Sequence, residues 1–135
     1  MDAATIEALG DALFDALRQR RTLAPLTSRH ADITVDDAYR ISLRFLARRQ
    51  AAGERVIGKK IGVTSKPVQD MLGVFQPDFG FLTDAMQYAD GATVSLSQSG
   101  LVQPRAEGEM AFMLKTDLQG QGVTRDDVLA ADRKS

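Results

Sequence analysis

Apolar positions recur at helical intervals along the first fifty residues. Ile6, Leu9, Leu13 and Leu17 fall three or four apart and share one face, with Glu7, Asp11, Asp15 and Arg18 turned elsewhere. Residues 22–32, which hold Pro25 and the single histidine His30, read as a connector. A second helix is predicted to start after Thr34, an N-cap residue followed three positions later by Asp37, an acidic form of the capping box. Its polar stripe is Asp37, Arg40, Arg44 and Arg48. Val35, Ala38, Tyr39, Leu43, Phe45 and Leu46 cover a wide opposite arc, broad enough to pack against more than one neighbour. The arginine stripe reads as a solvated face or part of a subunit contact. Gly53 is a natural stop.

Beyond Gly53 the period changes. Residues 55–63 are rich in Val and Ile and read as a strand, residues 66–72 as a short helix, and residues 79–82 as a brief strand. Gly73, Gln76, Pro77 and Asp78 form the loop between the last two, and Ala89-Asp90-Gly91 marks a turn. Residues 107–115 read as a second convincing strand. Thr124 with Asp127 opens a last helix that the chain end at Ser135 cuts short. Helices first and strands afterwards give an α+β class, divided into a helical region 1–53 and a β region 54–135.

Composition removes several function classes. The 135 residues carry 17 basic and 18 acidic side chains, a formal net charge of −1, without the basic excess of a nucleic-acid or anionic-membrane binder. There is no cysteine, which excludes disulfides, thiolate metal sites and a thiol nucleophile. No apolar run approaches the roughly 20 residues of a membrane span. The first ten residues do not read as a signal peptide, so a cytoplasmic protein is expected.

Candidate chemistry sits in two segments. In residues 105–114, taken as a strand, Ala106, Gly108, Met110, Phe112 and Leu114 share a core face, and Arg105, Glu107, Glu109, Ala111 and Met113 share the other. That second face turns apolar beyond the glutamates, so it too is expected to be covered. Two carboxylates about 7 Å apart on a covered face call for a cation. Oxygen-only ligands favour Mg²⁺ or Mn²⁺ over Zn²⁺. Spacing alone also allows, and more often means, a solvated strand edge.

The other segment is Gly58-Lys59-Lys60-Ile61-Gly62. In a strand Lys60 shares its face with Gly58 and Gly62, which clears space for a ligand beside a lysine able to bind a carboxylate or move a proton. The alternative is a bulge with Lys60 reaching to water. Residues 53–60 mimic a phosphate-binding loop, but position 60 is Lys rather than Ser or Thr, and the stretch runs from helix to strand. Nucleotide binding is rejected.

Gly58-Lys59-Lys60-Ile61-Gly62-Val63-Thr64-Ser65-Lys66, Gln76-Pro77-Asp78-Phe79-Gly80 and Gln103-Pro104-Arg105-Ala106-Glu107-Gly108-Glu109 together resemble the 2-keto-4-pentenoate (2-hydroxypenta-2,4-dienoate) hydratases of aromatic meta-cleavage pathways. These belong to the fumarylacetoacetate hydrolase superfamily. The resemblance implies a metal-dependent hydro-lyase that adds water to 2-hydroxypenta-2,4-dienoate to give 4-hydroxy-2-oxopentanoate. It implies Mg²⁺ or Mn²⁺ on Glu107 and Glu109 plus a third acid downstream. It implies Lys60 and Asp78 as catalytic groups and Arg105 and Ser65 as substrate contacts. A 2-oxo or 2-hydroxy dienoic acid is the implied small molecule, in a homo-oligomer that hands its product to a downstream aldolase. Family members are considerably longer, so the expectation is helices followed by a mixed β-sheet of the fumarylacetoacetate hydrolase-like fold, truncated before the sheet is complete. Two readings stand beside this one: a catalytically silent fragment, and the sister 4-oxalocrotonate decarboxylase. The wording around Glu107 and Lys60 is closer to the hydratases.

Overall fold

Helix α1 (Ala3–Arg18) begins at Asp2, whose carboxylate accepts a 2.7 Å hydrogen bond from the Thr5 amide and satisfies one donor of the first turn. The computed structural model describes residues 1–97 and 99–133. Helix α2 (Val35–Ala51) carries the expected capping box: the Asp37 amide donates to Thr34 Oγ1 at 3.1 Å, and the Thr34 amide donates back to the Asp37 carboxylate at 3.3 Å. Ile6 and Leu9 of α1 meet Ile41 of α2 in the buried core, flanked by Leu13 and Leu26.

Within the polar stripe of α2, Arg40 stays exposed, but Arg44 and Arg48 pair with α1. Arg44 grips Asp11 of α1 with a two-pronged contact, Nε to Oδ1 at 2.7 Å and Nη2 to Oδ2 at 2.9 Å, and Arg48 adds a third at 3.0 Å. Gly10 allows this close crossing, because a Cβ there would meet Arg44 Cγ at 2.5 Å and the Ile41 carbonyl at 3.0 Å. The Arg44 guanidinium holds the Asp11 carboxyl below the ordinary carboxylate range. An apolar-periodicity reading assigns charges to water and so overlooks a helix pair bridged by them.

Strand β1 (Val56–Gly62) and strand β2 (Asp78–Thr83) form a two-stranded antiparallel ribbon, with helix α3 (Lys66–Leu72) in the connection between them. The register pairs Gly58 with Leu82, Lys60 with Gly80 and Gly62 with Asp78, after a bulge between Val56 and Gly58. Tyr39 of α2 stacks on Phe79 of β2 with ring centroids 4.7 Å apart, fixing the ribbon against the helix. At the other end buried Arg49 donates to Glu54 at 2.7 Å and to Thr83 Oγ1 at 3.0 Å, while Thr83 Oγ1 donates to Glu54 at 2.6 Å. This triangle ties the end of α2 to the end of β2 with every member satisfied.

The chain falls into two compact units, Met1–Gln103 and Pro104–Ser135. In the second, helix α4 (Arg125–Ala131) starts with the capping box expected of Thr124 and Asp127. The end of the chain at Lys134 and Ser135 lies outside the described residues. The strand expected over 107–115 is absent: residues 104–113 carry no strand assignment. At its far end Leu114 bridges Asp132, and the Lys115 amide donates to the Ala131 carbonyl at 2.8 Å. A strand exists only through a hydrogen-bonded neighbour, and alternating sequence cannot supply one. The face expected to be core is open as well, with Met110 85% and Phe112 49% exposed. The observed sheet is therefore a small antiparallel pair rather than a mixed sheet.

Candidate functional site

Lys60 stands on β1 opposite Gly80 of β2, with Gly58 and Gly62 two positions to either side on the same face. Side chains two apart along a strand, and those of directly paired residues, lie on one face of a ribbon. Leu82, Gly80 and Asp78 of β2 therefore share the Lys60 face, while Lys59, Ile61, Phe79 and Phe81 share the other. Three glycines surround the lysine. A Cβ on Gly80 would meet nothing within 4 Å, so the space over that residue is open.

Asp78 pairs with Gly62, one step diagonally from Lys60 across the ribbon. Diagonal neighbours in an antiparallel pair are about 7–8 Å apart, within reach of a long side chain. The Asp78 carboxylate lies over the bare α-carbon of Gly62, where a Cβ would overlap its Oδ1. Gly62 thus makes room for the acid, and Gly80 leaves room beside the base. Gly58 and Gly62 stand out beside Lys60 in the sequence, whereas Gly80 lies in a distant segment. The signal was present in the alternation Asp78-Phe79-Gly80-Phe81, and only the register reveals its meaning.

Just past β1, Val63 adopts φ +55°, a left-handed conformation that a β-branched residue rarely takes. Its carbonyl accepts a 2.9 Å hydrogen bond from Gln69 Nε2 of α3. Holding such a residue costs on the order of 1–3 kcal/mol and is found where surroundings over-determine the backbone, often at functional sites. The bend delivers Thr64 and Ser65, the latter at the N-cap of α3 in extended backbone without a capping hydrogen bond from its side chain. Lys66 pairs with Asp70 one turn on. A hollow of about 650 Å³ opens next to Asp78, between α2 and the loop before β2.

In the second unit Arg105, Glu107 and Glu109 occupy the exposed stretch that carries no strand assignment. Glu107 and Glu109 supply hard carboxylate oxygens of the kind that suit Mg²⁺. Among the described residues no group of three His, Asp or Glu side chains could enclose a metal ion. The donor chemistry fits the cation, and the donor number does not complete a site. Among these residues, too, no helix is long and apolar enough to cross a membrane.

No family model matches the chain. Individual proteins do. Over 130 residues it is 71% identical to a 2-hydroxyhexa-2,4-dienoate hydratase of Comamonas testosteroni, covering 96% of this chain and 49% of that protein. A 2-hydroxypent-2,4-dienoate hydratase of Pseudomonas putida is 66% identical over 131 residues, with 97% and 59% covered. The chain is a homologue of the N-terminal part of these hydratases. It spans about half the length of the hydratases it matches. The fold agrees: a 4-oxalocrotonate decarboxylase from Pseudomonas putida G7, complexed with magnesium and adipate, superposes with a TM-score of 0.91 at 30% identity. That match covers 98% of this chain and 49% of the decarboxylase. Hydratase-like sequence on a scaffold shared with a decarboxylase means that the fold does not choose between the two reactions, and residues must.

Proposed function

We propose that this chain carries the lysine, the aspartate and two of the metal-binding carboxylates of a hydro-lyase acting on 2-hydroxypenta-2,4-dienoate. The observation that supports it most directly is the glycine-cleared face holding Lys60 and Asp78, in a chain up to 71% identical to dienoate hydratases. The exposed Lys60 ammonium can donate to the substrate's carboxylate or 2-oxygen. Loss of the enol proton with protonation at carbon 5 gives a conjugated 2-oxo acid whose carbon 4 is electrophilic. Asp78 then accepts a proton from the attacking water, and protonation at carbon 3 completes the net addition of one water. A stabilised oxyanion at position 2 lowers the barrier for both proton transfers, and Lys60 is the positive group on this face to provide it.

Glu107 and Glu109 would hold the divalent cation in this reading, together with a third acid that the described residues do not group with them. When bound, Mg²⁺ or Mn²⁺ supplies Lewis acidity toward the substrate's carboxylate and 2-oxygen. Arg105 and Ser65 contact the substrate, and residues 1–53 and 54–135 form the helical region and the start of the catalytic β region. The same reading carries a homo-oligomer whose product passes to an aldolase.

The test is the loss of dienol absorbance with Mg²⁺ and with EDTA, with the product identified. Metal-dependent formation of 4-hydroxy-2-oxopentanoate supports hydration. CO₂ release from 4-oxalocrotonate without hydration would reassign the site to the sister decarboxylase.

A further inference from the structure

Gln69 of α3 fastens both ends of the connection between β1 and β2. Its side-chain amide donates a 2.9 Å hydrogen bond to the Val63 carbonyl, one residue past the end of β1. Its main-chain carbonyl accepts a 3.0 Å hydrogen bond from the Val74 amide, four residues before Asp78 opens β2. Gly73, the left-handed C-cap of α3 at φ +67°, turns the chain so that this second bond forms. At the first end Val63 is held at φ +55°, which its branched Cβ disfavours. A glycine at position 63 would adopt this φ freely, so the valine makes the bend depend on its clamp.

We infer that Gln69 is a positioning residue: its amide keeps Val63 in the left-handed bend, and the bend keeps Asp78 over Gly62 on the Lys60 face. The inference rests on the hydratase reading and adds to it a residue that acts through the backbone. β1 leaves through Val63 and α3 is the next element, so the φ of Val63 sets the direction of α3. α3 in turn sets where residues 73–77 return the chain to β2. A Val63 relaxed to extended backbone would swing α3 away from its present side of β1 and carry that return path with it. Gly62 with Asp78 is the last pair of the ribbon on this side, with no further pair beyond it to hold the register. It is therefore the pair that a displaced connection disturbs first, and it is the pair in which the Asp78 carboxylate occupies the space that Gly62 leaves. Gln69 is partly buried, which favours its amide over water as the donor to the Val63 carbonyl.

NMR of the full chain reads the clamp without turnover, through the nuclear Overhauser contact between the Gly62 α-protons and the Asp78 β-protons. Gln69→Glu keeps the side chain's shape, and once ionised it cannot donate to a carbonyl. The contact should be lost in Gln69→Glu and return when Val63→Gly is added, because glycine keeps a positive φ without help. Should Gln69→Glu not fold, Gln69→Met, an equally good helix former without the amide, takes its place. Steady-state kinetics with Mg²⁺ separates positioning from stability alone. In the Gln69 variant kcat should fall on the order of tenfold with KM within about twofold, and adding Val63→Gly should restore most of it. A Gly62–Asp78 contact retained in the Gln69 variant, a loss that Val63→Gly does not repair, or an unchanged kcat in a chain that does hydrate would each overturn the assignment. Those results leave the hydratase reading standing. Absence of turnover in the unsubstituted chain would strike that reading instead, and the NMR contact would still decide the clamp.

Discussion

Asp78 rests over the bare α-carbon of Gly62, two residues along β1 from Lys60, so this glycine leaves the space in which the carboxylate sits on the Lys60 face of the ribbon. The atom that a Cβ at position 62 would strike is the tip of a flexible side chain, not backbone. Gly62→Ala is therefore expected to leave the fold intact and turn the Asp78 carboxylate away. In a protein with hydratase turnover, kcat should fall on the order of tenfold or more, since small misplacements of reacting groups are that costly. Thermal unfolding checks the first half and steady-state kinetics the second. Unchanged kcat would remove Asp78 from the reaction.

Gly80→Ala tests the space beside Lys60. A methyl group there meets nothing of the protein within 4 Å, so stability should hold. It would occupy room next to the lysine, and substrate KM should rise with little change in the thermal midpoint. Equal KM values would mean that no ligand approaches this face.

The helix crossing makes a prediction opposite to helix propensity. Alanine is favoured over glycine by about 1 kcal/mol inside a helix. At Gly10 the added Cβ collides with Arg44 and the Ile41 carbonyl, and overpacking of this kind costs about 1–3 kcal/mol. Gly10→Ala should thus lower the denaturant midpoint. A raised midpoint would show that α1 and α2 can separate without loss.

Much of this scaffold is legible in the sequence. The capping boxes at Thr34 and Thr124 and the bounds of α3 follow from local rules that need no distant partner. The faces of β1 follow from alternation once the strand is assumed. What cannot be read is anything fixed by a partner. Arg44 and Arg48 look solvated until Asp11 on another helix is placed against them. Residues 107–115 look like a strand until a neighbour is sought. Gly80 acquires meaning only through its register with Lys60. The motif residues were legible by resemblance, while their grouping on one face required the register.

Acid should release the α1–α2 clamp. Asp11 has a folded-state pKa below its ordinary value, chiefly through its hydrogen bond with Arg44, so the unfolded chain binds the proton more readily. The contribution is present above the unfolded value of about 3.9 and is lost as pH falls through the lower folded value. Asp11→Asn should consequently lower the unfolding midpoint at pH 7 and match the unsubstituted chain well below pH 3. A constant difference between the two pH values would contradict the clamp.

Thr83 is fully buried and its hydroxyl joins Arg49 to Glu54. Thr83→Val keeps the shape and removes that link. Leaving buried polar partners short of a hydrogen bond should cost about 1–3 kcal/mol in chemical denaturation. A neutral result would show that Arg49 and Glu54 satisfy each other alone.

A chimera in which this chain replaces the matching 49% of the Comamonas testosteroni hydratase, followed by dienol absorbance with Mg²⁺ and with EDTA, shows whether Lys60 works in hydration. Hydration that needs the metal is expected, abolished by Lys60→Ala while Mg²⁺ affinity is kept. A folded chimera without turnover, or one in which Lys60→Ala turns over as fast, would contradict it.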